Sequence, residues 1–587
     1  MRLPLPPLLL ATALLSWGCA DGASLVTTAA PPAEAPREAM VNTANPLATD
    51  AGAQMLRRGG SAVDAAIAAH AVLGLVEPQS SGIGGGGFLI AFDAGSGRVE
   101  VIDGRETAPA GARLDMFLGD DGRPLSHHDR IQSGHAVGVP GAVALYAKAH
   151  ERHGRLPWAD LFGPAIRLAE TGFEVSPRLH GLLVRMAQYT DIEEYPDTAA
   201  YFFPDGAALP VGFLRTNGAY AATLRAIAER GPVAFYEGEV ARAIVARTAL
   251  PPRPGTLAES DLAAYEAKVR DAVCAPFRTY RVCGAPPPSS GLAVLEILGL
   301  VERMAPEPIG DDVAGWSAYI DAMLLSYADR DHYVGDGDYV DVPVADLLAP
   351  AYLDARAAER PTPGVAPGPG DPGAVLRDAP IIDRWGRDPT DEVPGTSHLS
   401  VVDGYGNAVS FTASVEFVFG SQRMASGFVL NNELTDFSSL PTLGGKPVAN
   451  AVAPGKRPRS SMTPTLVFDA DGGLVMATGS PGGNSIIAYT TKSILGMLDM
   501  GLSVADAVAL PNVVPRGLPV RVEADVASEE FVEGLRARGY PVDDSQGENS
   551  GLHPIRVTTE GLEGAADPRR EGVATRVTVM VPASAGG

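Results

Sequence analysis

Between residues 361 and 373 the chain reads PTPGVAPGPGDPG, nine Pro or Gly in thirteen positions. Proline fixes φ and donates no backbone hydrogen bond, so neither a helix nor a central strand is expected there. The segment is expected to be an exposed linker, and the texture of the chain changes around it. Upstream, NPLATDAGAQMLR (45–57) has helical apolar spacing and stops at Gly59-Gly60. Ser61 is placed to cap AVDAAIAAHAVLGLVEP, which is apolar almost all round and so predicts a buried helix. SSGIGGGGFLIAFD comes next as a glycine loop running into a strand, AGSG is a turn and RVEVID a return strand. Residues 138–250 read as mostly helical. Beyond 396, SHLSVVD and AVSFTASVE flank a Gly-Tyr-Gly-Asn turn, and TLVFD and GLVMATG flank Ala-Asp-Gly. Ser480-Pro481-Gly482-Gly483 then opens the long helix NSIIAYTTKSILGMLDM. Helices first, strands in the middle and helices afterwards predict a layered α/β sandwich.

The 587 residues allow several domains or one large α/β unit, and 45% hydrophobic residues suffice for a sizeable core. Lys plus Arg is 46 against 70 Asp plus Glu, a net charge of −24. Such a surface repels phosphate backbones and argues against a nucleic-acid partner. The start, MRLPLPPLLLATALLSWGC, has one Arg, an apolar run and Gly18-Cys19. It reads as an export signal over residues 1–19, too short for a membrane span. Ser16-Trp17-Gly18-Cys19 resembles a bacterial lipobox, which would put a lipid on Cys19; the plainer reading is an ordinary cleaved signal. An Ala/Thr/Pro-rich tether over 20–38 comes after it. The protein is therefore expected to be periplasmic, secreted or lipid-anchored at the cell envelope. Cys274 and Cys283 flank a stretch that alternates like a strand or tight hairpin. In an exported chain such a pair can close a disulfide, and two buried thiols are the other reading. No CxxC or HExxH is present and the ten His show no ligand spacing, so neither zinc nor any other cofactor is expected.

Gly82-Ile83-Gly84-Gly85-Gly86-Gly87 fits G-x-G-x-x-G, but it leaves a helix and opens a strand. A dinucleotide site needs the reverse order, so close backbone packing or a bound small group is the better reading. No G-x-S-x-G and no S-x-x-K occur, which leaves serine-hydrolase chemistry of those types unsupported. Pro394-Gly395-Thr396-Ser397-His398 offers another nucleophile. A threonine hydroxyl needs a base, and an N-terminal threonine carries one in its own α-amine. That requires the Gly395–Thr396 bond to break, with Gly395 presenting no side chain to crowd attack on its carbonyl. Gly482 and Gly483 at a helix N-terminus supply backbone N–H groups suited to an oxyanion. Asp103-Gly104-Arg105-Glu106 puts an Arg at a strand end. Asn431-Asn432-Glu433-Leu434-Thr435-Asp436 sets two carboxylates three apart, and Arg457-Pro-Arg-Ser460-Ser461 gives adjacent hydroxyls. An α-amino-acid head group needs a cationic partner for its carboxylate and anionic partners for its ammonium.

EPQSSGIGGGGF, DGRETAPA, PPPSSG, TSHLSVVD with GNAVS, GFVLNNELTDFS, KRPRSSMTPT and TGSPGGN, in that order from about Val41 to the C-terminus, together resemble the γ-glutamyltranspeptidase family. The resemblance implies an N-terminal-nucleophile hydrolase with an αββα sandwich, made as one precursor that cuts itself before Thr396. The products would be a large subunit over 39–395, ending in the Pro/Gly-rich linker, and a small subunit over 396–587, held together as a heterodimer. Thr396 would attack a γ-glutamyl amide such as glutathione, and Gly482 and Gly483 would hold the oxyanion. The acyl group would pass to water or to an amino-acid or dipeptide acceptor. Arg105, Ser460 and Ser461 would hold the α-carboxylate, and Glu433 and Asp436 the α-ammonium. Ser414 stands where the family usually has a Thr that bonds the nucleophile's amine.

Two departures stand out. Glu416 stands where the family commonly has Asn, near the ammonium subsite, and with Glu433 and Asp436 would put three carboxylates around one cation. Such crowding should raise one of their pKa values. The stretch from Ser438 to Arg459 reads as shorter than the lid loop of glutathione-specific members, which implies a more open site. Related acylases of the same fold take glutaryl-type groups that lack the ammonium, so a cephalosporin-like acylase is the alternative reading.

Overall fold

Alternation along buried strands sets the layers of the molecule. In a strand successive side chains point to opposite faces. Along Gly86–Asp93, Leu89 and Ala91 join one apolar core while Phe88, Ile90 and Phe92 join another. Along Thr465–Phe468, Leu466 and Phe468 meet that second core, whereas Val467 points into a third. Two sheets thus share the middle core, and each turns its outer face to helices.

This computed structural model describes residue 1 and residues 34–388, 390, 392–393 and 395–582. The export signal with Cys19, the tether up to residue 33 and Pro394 lie outside the described residues. Residues 34–38, expected to be tether, already belong to a strand. Nearly all described residues form one compact unit, Pro36–Val581; the other, Met1–Ala35 with Pro582–Gly587, lies almost wholly outside them.

The elements that position the site are, in chain order, β1 (Glu34–Thr43), α1 (Pro46–Arg57), α2 (Ala62–Val76), β2 (Gly86–Asp93), β3 (Arg98–Asp103), β4 (Lys268–Asp271), β5 (Val273–Phe277), β6 (Tyr280–Gly284), α3 (Gly291–Met304), α4 (Val313–Tyr333), α5 (Pro372–Arg377), β7 (Thr396–Val402), β8 (Ala408–Ser414), β9 (Thr465–Phe468), β10 (Leu474–Thr478), α6 (Ile486–Leu498), β11 (Ile555–Thr558), β12 (Gly561–Gly564) and β13 (Val573–Pro582). One sheet runs β13-β1-β7-β8-β2-β3-β4 and the other β12-β11-β10-β9-β6-β5. Helices α1 and α2 cover the first sheet, and α3, α4 and α6 the second. Asn45 caps α1 and Ser61 caps α2, where Asp64 completes a reciprocal capping box. Every residue of α2 is buried, as its unbroken apolar sequence predicts.

The glycine loop after α2 is explained by close packing. A Cβ on Gly84 would overlap the carbonyl of Val429, and one on Gly85 the carbonyl of Ser414. Asn431 donates to the Gly84 carbonyl through its backbone N–H at 3.1 Å and its amide at 2.8 Å. The loop therefore grips both the end of β8 and the start of the Asn431–Asp436 segment.

The Pro/Gly-rich stretch is helix-free only as far as Asp371. That residue caps α5, whose first position is Pro372, where a proline's missing N–H costs nothing. Gly370, Pro372 and Gly373 are buried, so the end of the expected linker is packed rather than exposed. Cys274 and Cys283 face each other across β5 and β6 and are joined as a disulfide. Residues Thr442–Leu443 and Lys446–Pro447, within the stretch expected to be a shortened lid, pair as a small hairpin, and Val448 bridges to Gly386.

Candidate active site

Thr396 is the first residue of β7, a strand that is buried throughout and flanked by β1 and β8. It stands opposite Ser414, the last residue of β8. Its residue exposure is 3%. Thr396 Oγ1 donates to Ser414 Oγ at 3.3 Å, and Ser414 Oγ donates to the Gly395 carbonyl at 3.0 Å. The N–H of Val415 also reaches that carbonyl at 3.3 Å, and the N–H of Glu416 fixes Ser414 Oγ at 2.8 Å. The carbonyl next to the nucleophile candidate thus has two donors aimed at it. A Cβ on Gly395 would overlap the backbone of Glu416 and Phe417, so this approach requires glycine. Arg570 donates to the Thr396 carbonyl at 2.9 Å. Nothing in the sequence singles out Arg570, because it lies 174 residues away. Gly395 and Thr396 line a cavity of about 320 Å³ with Ser80, Met186, Tyr189 and Phe417.

Two residues beyond Ser414, Glu416 turns into a cluster of buried acids. Its backbone is left-handed, with φ 77°. Its carboxylate accepts from the Asn432 amide, which in turn accepts from the Phe417 N–H at 2.9 Å. Arg105, fully buried at the end of β3, pairs with Glu433, reaches Asp436 at 2.5 Å, and donates to the carbonyls of Pro458 and Arg459. The sequence reading assigned Arg105 to a carboxylate and Glu433 and Asp436 to an ammonium. Here they neutralise one another, and a zwitterionic head group would have to exchange with these pairs. Burial, and then the neighbouring Asp436, pushes the Glu416 carboxyl well up. Burial first, against Arg105 and with Glu392 adding to it, raises Asp436 to about 7. A rise is present, but loss of water is its first cause, and the like charge comes from Asp436 at Glu416 and from Glu392 at Asp436 rather than from Glu433.

Ser460 and Ser461 sit on a loop pinned by the PPPSSG segment. Ser290 Oγ donates to the Ser460 carbonyl at 2.6 Å, Ser289 Oγ to Met462 at 2.6 Å, and the Ser460 N–H to Pro288 at 2.9 Å. The Ser461 N–H donates to Glu392 and its Oγ accepts from Arg330. Sequence reasoning passed over both Glu392 and Arg330, since neither falls in a recognisable spacing.

Gly482, with φ 138°, and Gly483 lead through a short turn into α6. Gly482 lines a cavity of about 600 Å³ with Glu392, Asn484, Ser485 and Tyr489. Thr396 lies on the neighbouring cavity, and Val393 lines both. In this continuous chain, then, Gly482 and Thr396 open onto different cavities beside the same upstream segment.

A layered α-β-β-α sandwich with a threonine at the first position of a central strand defines the N-terminal-nucleophile hydrolase class. Residues 48–577 match the family model described as gamma-glutamyltranspeptidase. The chain is 34% identical over 556 residues to the glutathione hydrolase proenzyme of Bacillus subtilis strain 168, covering 92% of both proteins. It is 33% identical to the acylase ACY 1 proenzyme of Pseudomonas sp. strain V22, covering 92% of this chain and 93% of that protein. The crystal structure of cephalosporin acylase from Bacillus halodurans superposes with a TM-score of 0.80 at 28% identity, over 93% of this chain and 97% of that one. The protein belongs to the γ-glutamyltranspeptidase family of enzymes. Among the described residues no helix is long and apolar enough to cross a membrane.

Proposed function

We propose that the chain cleaves itself at Gly395–Thr396 and then transfers the γ-glutamyl group of glutathione or other γ-glutamyl amides to water or to amino-acid and peptide acceptors. The observation that carries this reading is the shared hydroxyl of Ser414, which touches both Thr396 Oγ1 and the Gly395 carbonyl. In the first stage Thr396 Oγ adds to the Gly395 carbonyl carbon. The charge that develops on the oxygen meets the Ser414 O–H and the Val415 N–H, donors already in place. Collapse breaks the C–N bond, the nitrogen taking up the proton lost from Oγ, which leaves an ester on Thr396 Oγ and a free α-amine, and water then releases the Gly395 carboxylate.

In the second stage the freed amine, with an ordinary pKa near 8, serves as the base. His398, next in sequence but one, is a poor substitute. Its ring nitrogens engage Thr412 and Ser400, and burial with the neighbouring His553 keeps it neutral. Thr396 Oγ attacks the γ-carbonyl, the amides of Gly482 and Gly483 hold the oxyanion, and the Thr396 amine passes the Oγ proton to the substrate's own amine, which departs to leave a γ-glutamyl-Thr396 ester that water or an acceptor amine then cleaves. Arg105, Ser460 and Ser461 take the α-carboxylate, and Glu433, Asp436 and Glu416 surround the ammonium. The large subunit (39–395) and small subunit (396–587) stay together, and residues 1–19 direct export.

Acylase relatives favour a second reading, action on glutaryl-type amides. Turnover of γ-glutamyl-p-nitroanilide against glutaryl-p-nitroanilide decides between them. The acid cluster predicts a clear preference for the first, and preference for the second would overturn this reading. N-terminal sequencing of the smaller fragment should begin at Thr396, and Thr396→Ala should remain a single inert chain.

A further inference from the structure

Glu392, four residues before Thr396, is buried against two guanidinium groups that are themselves buried, those of Arg330 and Arg459. Its Oε2 accepts the Ser461 N–H at 2.7 Å, and its Oε1 pairs with Arg330 and lies 3.5 Å from Arg459 Nε. Its own carbonyl accepts the Asn484 N–H at 3.1 Å, on the cavity that Gly482 lines. Arg330 is oriented by Ser290 Oγ at 2.7 Å and Ser461 Oγ at 2.8 Å. This is the donor set that recognises a carboxylate, namely buried guanidinium groups and an amide N–H converging on one point.

Departure of Glu392 would upset the local charge balance. Asp331 faces Arg330, Arg459, Arg516 and Arg387, and Asp388 faces Arg459. Without Glu392, the buried Arg330 and Arg459 would lose the acid that they share. A buried uncompensated cation is costly, so the vacated pocket would demand an anion. Burial alone would raise the Glu392 carboxyl, yet Arg330 and Arg459 with Ser461 hold it down at about 2, so the pocket prefers a full negative charge.

We propose that Glu392 is a tethered stand-in for the substrate's α-carboxylate: it fills the Ser461–Arg330–Arg459 pocket in the uncut chain and surrenders it after scission, when Arg330 becomes a substrate-binding residue. This rests on the proposed γ-glutamyl transfer. While the chain is continuous, Glu392 is anchored three residues from Gly395 and competes at high effective concentration. Cutting at Gly395 removes that anchor, and a diffusing carboxylate can then win. Binding and self-cleavage are thereby ordered in time, because the precursor cannot take substrate.

The test is calorimetric titration of L-glutamate into uncut Thr396→Ala and Thr396→Ala/Glu392→Gln proteins. The double variant should bind at least about tenfold more tightly, since affinity is otherwise reduced by the fraction of chains with an open pocket. Equal affinities in two folded proteins would overturn the proposal. Should the double variant not fold, the mature Arg330→Lys enzyme decides. Its KM for γ-glutamyl-p-nitroanilide should rise about tenfold with kcat within about twofold, and its KM for 4-aminobutanoyl-p-nitroanilide, which lacks the α-carboxylate, should not move. A KM change equal for both substrates, or absent for both, would also overturn it. Failure of the underlying function looks different: wild-type protein would stay one chain or ignore γ-glutamyl-p-nitroanilide.

Discussion

Ser414 faces Thr396 directly across the β7–β8 ladder, and its single hydroxyl serves two neighbours, accepting from Thr396 Oγ1 at 3.3 Å and donating to the Gly395 carbonyl at 3.0 Å. The Glu416 N–H behind it removes its freedom to turn away. In the proposed mechanism one side chain would therefore both aim the nucleophile and polarise the bond to be cut.

Ser414→Ala should slow self-cleavage on the order of a hundredfold to a thousandfold, the usual effect of deleting one oxyanion donor. Ser414→Thr keeps the hydroxyl and should mature normally. Densitometry of purified precursor over time measures this, and an unchanged rate for the alanine variant would remove Ser414 from the mechanism.

Gly395→Ala puts a methyl group into the backbone of Glu416 and Phe417. The ladder must shift to admit it, at about 1–3 kcal/mol of stability. The carbonyl then leaves its two donors, so the variant should accumulate uncut and melt earlier than Thr396→Ala. Thermal melts and gel analysis of the pair test this.

Asp436 titrates near 7 because it is buried, and it must be ionised to attract an ammonium. As pH rises through about 7, kcat/KM for γ-glutamyl-p-nitroanilide should climb more steeply than for glutaryl-p-nitroanilide. In the proposed mechanism both substrates need the free α-amine of Thr396, so the difference isolates the acid cluster. In Asp436→Asn the two profiles should become parallel and the γ-glutamyl KM should rise. Parallel profiles in the wild type would sink the assignment of Asp436 to the ammonium.

The Cys274–Cys283 bond joins residues nine positions apart at the edge strand β5. Chain-entropy reasoning gives about 2–3 kcal/mol for so short a loop. Cys274→Ser should therefore lower the melting temperature while leaving kcat/KM unchanged, since the bridge lies at the edge of the other sheet from the one that carries Thr396. Thiol titration of the unfolded wild-type mature protein should find neither cysteine free.

Much of this fold was legible from pattern alone. The buried helix α2, its Ser61 cap, the glycine loop that opens β2 and the hairpin that begins at Thr396 are dictated by spacing and turn chemistry. The seven ordered motifs contain Arg105, Thr396, Glu433, Asp436, Ser460, Ser461, Gly482 and Gly483, whereas Ser414 and Glu416 lie between them. The pairing of Arg105 with Glu433 and Asp436 was not legible, because the motifs give residue types and not which charges meet one another. Glu392, Arg330 and Arg570 were invisible for a related reason: each acts across a long sequence separation and none lies in a short motif. The buried end of the Pro/Gly-rich stretch was misread because composition forbids a helix interior but not a helix start, and Pro372 exploits that exception.

The order of strands in the first sheet carries one more implication. β1, from ahead of the proposed cleavage point, lies between β13 and β7, both from behind it, and β8 in turn meets β2. Neither product of that cleavage would own a complete apolar interior. Two separate genes encoding 39–395 and 396–587 should give aggregates when expressed apart, so the single reading frame is a folding requirement and not only a way of delivering equal amounts of both pieces.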